Sequence, residues 1–146
     1  MGEYKCELFT TTQTINAARY TEVLSAHMLP IFRQLQLDHD EECQFMHDHA
    51  PPHTSNHTTH WLESKGVPLH PSPRKSPDLN PMENMFGNLA RRVYANGKHY
   101  STVRDLTESI IACWNDIEQA ECRALTSSMP NRLVKVIEKK GAATEY

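Results

Sequence analysis

Two acidic residues stand where a chain could hold an oxygen-ligated cation. Asp48 closes "ECQFMHD", a predicted strand, directly before the turn "HAPPHTS", and Glu83 lies in "SPDLNPMENMF", just inside an apolar-periodic segment. Functional side chains of open α/β sheets gather where the chain leaves the carboxyl end of a strand. Mg²⁺ takes hard oxygen ligands, usually one or two carboxylates together with substrate phosphates. A pair of such ions can activate an attacking oxygen and stabilise a leaving one in phosphoryl displacement. Glu83 has a second reading compatible with the first. Asn80 suits the N-cap, Pro81 the first helical position and Glu83 the N3 position, which is the pattern of a capping box.

The elements that must position these acids can be read from periodicity. The opening "YKCELFTTT" has the aromatic and β-branched content of a strand. From Asn16 to about Leu35, the residues Tyr20, Val23, Leu24, His27, Ile31 and Leu35 form a helical stripe, with Pro30 expected to end or kink it. "ECQFMH" reads as a short strand, and Thr54 or Ser55 can cap a helix that Gly66 stops. A brief strand "VPLH" and a proline-rich crossing follow. Met82, Met85, Phe86, Leu89 and Val93 predict a buried stripe on a helix from Pro81 to Tyr94, and Asn96-Gly97 breaks the chain after it. Val103, Leu106, Ile110, Cys113, Trp114 and Ile117 predict a further amphipathic helix. A last one opens near Pro130, carries Leu133, Val134 and Ile137, and ends at Lys139, Lys140 and Gly141. Strands alternating with helices up to about residue 70, then helices alone, indicate α/β with an α-helical C-terminal part.

The chain has 146 residues and 38% hydrophobic content, with no apolar run near a membrane span, which suits one soluble domain. No basic and apolar leader opens it, so an intracellular site is expected. Cys6, Cys43, Cys113 and Cys122 lack C-x-x-C spacing and read as reduced core thiols. A formal net charge of -3 argues against a stand-alone nucleic-acid binder. Positive charge is nevertheless grouped in the middle, where Arg74, Lys75, Arg91, Arg92, Lys98 and Arg104 face only Asp78 and Glu83. That run is either a solvated face or a phosphate-binding one.

"FMHDHAPPHTS", followed at this spacing by "SPDLNPMENMFGNLARRV", resembles the catalytic domain of the mariner superfamily of cut-and-paste DNA transposases. The likeness extends over "ARYTEVLSAHMLP", "GVPLHPSPRKSPDLNP" and the closing "MPNRLVKVIEKKGAATEY", so it covers nearly the whole chain. The resemblance implies an α/β fold with a partial ribonuclease H-like mixed sheet, flanking helices and an α-helical C-terminal part. It also implies metal-dependent DNA strand cleavage and transfer, with two Asp and one Glu holding two Mg²⁺ or Mn²⁺ ions. By position, Asp48 matches the second Asp and Glu83 the Glu, so catalytic and metal roles fall on these two. Arg74, Lys75, Arg91 and Arg92 become candidate contacts to double-stranded transposon-end DNA. A homodimer and a nuclear location are further expectations.

The chain departs from the family pattern at several points. No residue matches the first Asp, which the family carries on an earlier strand. The expectation is therefore a catalytic domain over residues 1–146 lacking its first strands, without the family's DNA-recognition helix-turn-helix domain and doubtful as an enzyme by itself. Asp38 and Asp40 read as loop acids. His47 and His49 flank Asp48 where the family often has Gln and Asn, Ser72 stands where Trp is usual, and Phe86 replaces another Trp. Two rival readings remain. One is a catalytically dead transposase-derived fragment serving as a DNA- or protein-interaction module. The other is a zinc module built on His53, His57 and His60 at i, i+4, i+7, with His47 and His49 nearby.

Overall fold

The computed structural model describes residues 6–38, 43–73, 76–142 and 144. They form two compact units, Thr11–Lys75 and Met1–Thr10 with Ser76–Tyr146. No helix among the described residues is long and apolar enough to cross a membrane.

In the first unit, Asn16 caps α1 (Ala17–Val23) by accepting the Arg19 N–H at 2.9 Å. The helical path then widens into a π turn, Leu24–Met28, and continues as α2 (Leu29–Asp38). Pro30 therefore neither ends the path nor stands alone as a break. Its ring would press on the carbonyl four residues back in a regular α-helix. The wider preceding turn, closed by the Leu29 N–H on the Leu24 carbonyl, takes up that conflict. The extra residue also shifts the buried stripe. Leu24 and Phe32 are buried and Met28 packs against them, rather than His27, Ile31 and Leu35 lying at the centre. Asp38 belongs to the last turn of α2, where it accepts from Gln34 at 2.8 Å, and is not a loop acid; Asp40 lies outside the described residues.

The sheet expected here is much reduced. Among the described residues its ladder is one parallel bridge, Phe45 with Leu69. The Phe45 N–H donates to Pro68 O at 2.8 Å and the His70 N–H to Phe45 O at 2.9 Å. Pro68 has no N–H to give, and prolines flank the second segment again at Pro71, so the ladder cannot extend far. The two predicted strands are thus paired, but as a single bridge. Residues 6–12, the described part of the expected first strand, run without strand pairing. After the turn at Pro51, α3 (Asn56–Ser64) starts on Ser55, whose side chain accepts the Thr58 N–H, and stops before Gly66 at φ +60°. Leu62 and Val67 join Leu24 and Phe32 in the core of this unit.

The second unit opens its helical part with a 3₁₀ turn, Pro77–Leu79, followed by α4 (Pro81–Val93). A kink at Asn96 and Gly97, both with positive φ, leads to α5 (Val103–Asn115), α6 (Gln119–Ser127) and α7 (Met129–Glu138). Met85, Leu89, Val93, Trp114 and Ile117 form its core, with Leu8, Cys113 and Cys122 packed against it. The Trp114 N–H donates to Cys6 O at 3.0 Å, which docks the early segment on α5. Cys6 itself is exposed and so is not a core thiol. Met82 and Phe86 lie largely outside the core, and α6 was not expected from the sequence. On α7 the expected stripe fails, because Leu133, Val134 and Ile137 are exposed and Arg132 is the residue buried.

Candidate catalytic carboxylates

Asp48 sits where the chain leaves the bridged segment Cys43–His47 and turns toward α3. Its Oδ1 accepts the Ala50 N–H at 3.0 Å and lies 2.5 Å from His53 Nδ1. Oδ2 takes no hydrogen bond from a described residue. The Ala50 N–H above all, then the His53 ring, holds the Asp48 carboxyl below the usual carboxylate range. The side chain is more than half exposed, so it stays reachable from solvent.

The rings around it are ordered from α1. Tyr20 stacks on His53 with centroids 4.0 Å apart, and its hydroxyl lies 3.1 Å from His47 Nδ1. His47 and His53 stack in turn at 5.3 Å. Burial first, and the Asp48 charge second, push the Tyr20 phenol upward, which keeps it a proton donor. Burial, followed by His53, lowers the His47 pKa and favours the neutral ring whose Nδ1 accepts that proton. The two shifts therefore agree on the direction of the bond. His49 Nε2 donates to Ser72 O at 2.9 Å, so this histidine ties the loop to the proline-rich crossing.

The histidine triplet does not share a helix. His53 precedes α3, which begins at Asn56, while His57 Nε2 lies 3.1 Å from Thr21 Oγ1. Since the Thr21 hydroxyl donates to Ala18 O, the imidazole must be the donor to it. His57 and His53 therefore have different partners and do not aim at one point. Among the described residues no three His, Cys, Asp or Glu side chains are grouped to hold a metal ion.

Glu83 occupies the first turn of α4. The Asn80 side chain accepts from Met82 N at 3.1 Å, so the N-cap is present. The reciprocal half of the expected capping box is not made. The Asn80 N–H already donates to Pro77 O at 2.9 Å inside the 3₁₀ turn, and nothing remains for the Glu83 carboxylate to accept there. Glu83 is exposed and takes no hydrogen bond from a described residue. An exposed carboxylate at a helix start and a half-engaged one after a bridged segment are each the kind of hard oxygen donor that Mg²⁺ or Mn²⁺ accepts.

Of the four candidate basic residues, Arg74 and Lys75 lie outside the described residues. Arg91 is exposed on α4 and bonds Asn88. Arg92 is half-buried and pairs with Glu121 at 2.6 Å, which ties α4 to α6.

Residues 3–107 match the model of the DDE superfamily endonuclease family. The chain is 34% identical over 142 residues to the transposable element Tc3 transposase of Caenorhabditis elegans, covering 97% of the chain and 42% of that protein. It thus spans less than half the length of the curated relatives it matches. The Mos1 transposase catalytic domain, solved with raltegravir and Mg, superposes with a TM-score of 0.79 at 22% identity, over 95% of this chain and 70% of that one. The Mos1 mariner paired end complex with Mn gives 0.77 at 21% identity, over 92% and 39%. The fold is therefore that of the mariner catalytic domain, the ribonuclease H-like class expected from the sequence, although its sheet is reduced to one bridge among the described residues.

Proposed function

This chain belongs to the DDE superfamily endonucleases, within the mariner group of DNA transposases, and we propose that it carries two carboxylates of a metal-dependent centre that cleaves and joins DNA strands. The observation that carries this reading is Asp48, whose Oδ1 is braced by Ala50 and His53 while Oδ2 takes no hydrogen bond from a described residue, just after the bridged segment. Asp48 and Glu83 would hold Mg²⁺ or Mn²⁺. Such ions, when bound, polarise the phosphoryl group and stabilise the leaving oxygen. The chain's own part is to present Oδ2 of Asp48 in a fixed direction and to supply the Glu83 carboxylate. His53 keeps Asp48 from rotating, and Tyr20 keeps His53 in place.

The substrate is double-stranded DNA at transposon ends, and the site of action the nucleus. Arg91, with Arg74 and Lys75, would neutralise phosphates, whereas Arg92 is engaged with Glu121 and serves the packing of α4. The purified chain is tested with duplexes carrying transposon ends in Mg²⁺ or Mn²⁺. Metal-dependent nicking that disappears in Asp48→Ala and in Glu83→Ala is the expected result, and nicking indifferent to both substitutions overturns the assignment.

A second reading is favoured by the lack, among the described residues, of a third ligand grouped with either acid. In it, the chain is a DNA- or protein-interaction module without cleavage. Salt-sensitive duplex binding with no nicking under either metal is its signature.

A further inference from the structure

Among the described residues the largest fully buried side chain belongs to an arginine, Arg132 on α7. It is 2% exposed, while Leu133, Val134 and Ile137 beside it are 49%, 52% and 75% exposed. A helix that turns its apolar residues outward and its guanidinium inward is meeting a polar demand. Burying a guanidinium is costly unless its N–H groups find acceptors. Arg132 Nε donates to Ser128 Oγ at 2.8 Å, and Nη1 donates to Asp78 O at 2.8 Å and to Asn84 Oδ1 at 2.6 Å.

Two of these acceptors bracket Glu83. Asp78 lies in the 3₁₀ turn that leads into α4, and Asn84 is the residue after Glu83. Asp78 is gripped from its other end as well, since its Oδ2 accepts from Thr144 N at 3.0 Å and Thr144 Oγ1 at 2.8 Å. The Glu83 carboxylate has no hydrogen bond of its own from a described residue, so among these residues it is the backbone of this turn that sets where it is presented. We infer that Arg132 is the positioning residue of Glu83, holding the turn Pro77–Leu79 and the first turn of α4 in one fixed relation. This rests on the proposed role of Glu83 as a cation ligand. Nη1 serves the Asp78 carbonyl and the Asn84 amide while Nε is held by Ser128 in the same plane, an arrangement of donors on separate nitrogens that a lysine ammonium does not reproduce.

The test uses the whole chain with Mn²⁺ as the probe, followed by electron paramagnetic resonance, and amide exchange at Leu79, Asn80 and Glu83. Arg132→Lys, Asn84→Ala and Glu83→Gln are compared with the unaltered chain. Groups that orient metal ligands change affinity by about tenfold or more when removed, and a loss of that size is expected in both Arg132→Lys and Asn84→Ala. Faster exchange at the three amides, with α5 still protected, should accompany it. Mn²⁺ affinity equal to that of the unaltered chain in these two variants, while Glu83→Gln lowers it, overturns the inference. If Glu83→Gln leaves affinity unchanged, the ligand role of Glu83 fails. The hold of Arg132 on the turn is then decided by exchange alone, where faster exchange supports it and unchanged protection overturns it. Should Arg132→Lys lose protection in α5 as well, Asn84→Ala decides, because it removes one acceptor and leaves the buried arginine in place.

Discussion

In the unit Thr11–Lys75 the hydrogen bonds converge on the carboxylate itself, through the Ala50 N–H and His53, with Tyr20 behind the imidazole. In the unit carrying Glu83 they converge on the backbone around the carboxylate, through Arg132, Asp78 and Thr144, and the carboxylate itself takes none from a described residue. The two arrangements fix an acid by different means. A braced side chain is oriented before any ligand arrives, but one of its oxygens is already in use. A bare one keeps both oxygens and depends on the stiffness of the turn beneath it.

The largest way to break the contrast is to remove the support of the Asp48 unit. Leu62 is 1% exposed at the centre of its core, so Leu62→Ala is expected to lower the unfolding free energy by about 3 kcal/mol. Chemical denaturation measures this, and a loss below about 1 kcal/mol would place the support elsewhere. The corresponding blow to the Glu83 turn is Asp78→Ala, which removes a buried carboxylate that accepts two bonds from Thr144. Bonds to charged groups of this kind contribute about 2 kcal/mol. These bonds also hold the folded Asp78 carboxyl below its ordinary value. Its stabilisation is therefore complete above the unfolded carboxylate range near about pH 4 and is lost as pH falls through the lower folded value. Melting temperatures of the two proteins should differ at neutral pH and converge under acid; a constant difference would count against the carboxylate.

A smaller, symmetrical pair sharpens the comparison. Ser55→Ala and Asn80→Ala each remove an N-cap, the first on the helix after Asp48 and the second on the helix bearing Glu83, at about 1 kcal/mol apiece. Thermal melting distinguishes this from a null effect. The least change is expected from Glu83→Gln, whose side chain is exposed and bonds no described residue, within about 0.5 kcal/mol. A larger destabilisation would show that Glu83 caps its helix after all.

Much of this arrangement was legible from the sequence, and the failures have physical causes. Ser55, Gly66, Asn80, Pro81 and the Asn96-Gly97 break are local signals, and each stands where its chemistry requires. Helix α6 leaves no periodic signal in the sequence because Cys122 and Leu125 are nearly its whole apolar contribution, too few to mark a stripe. The α7 stripe was misjudged because periodicity counts hydrophobic side chains. It cannot register that Arg132 answers to Asp78 and Asn84, residues some fifty positions earlier. The capping box failed through competition for one donor, since the 3₁₀ turn claims the Asn80 N–H. The grouping of Tyr20, His47 and His53 was also missed. Nothing local in the sequence links these positions, and only the fold brings Tyr20 against His53.

The π turn at Leu24–Met28 has a bearing on the chain's history of gains and losses. It accommodates one residue more than an α turn would, and the buried stripe is set to include that residue. Deleting a single residue between Leu24 and Met28 would keep Phe32 on the side of Leu24 but make the turn regular α, and so return the Pro30 ring to the carbonyl clash that the wide turn relieves. The same deletion within α3 or α4 would rotate every later side chain of the helix by about 100°. The extra residue of this stretch and Pro30 thus belong together: the register of the buried stripe would survive its loss, whereas the backbone around the proline would not.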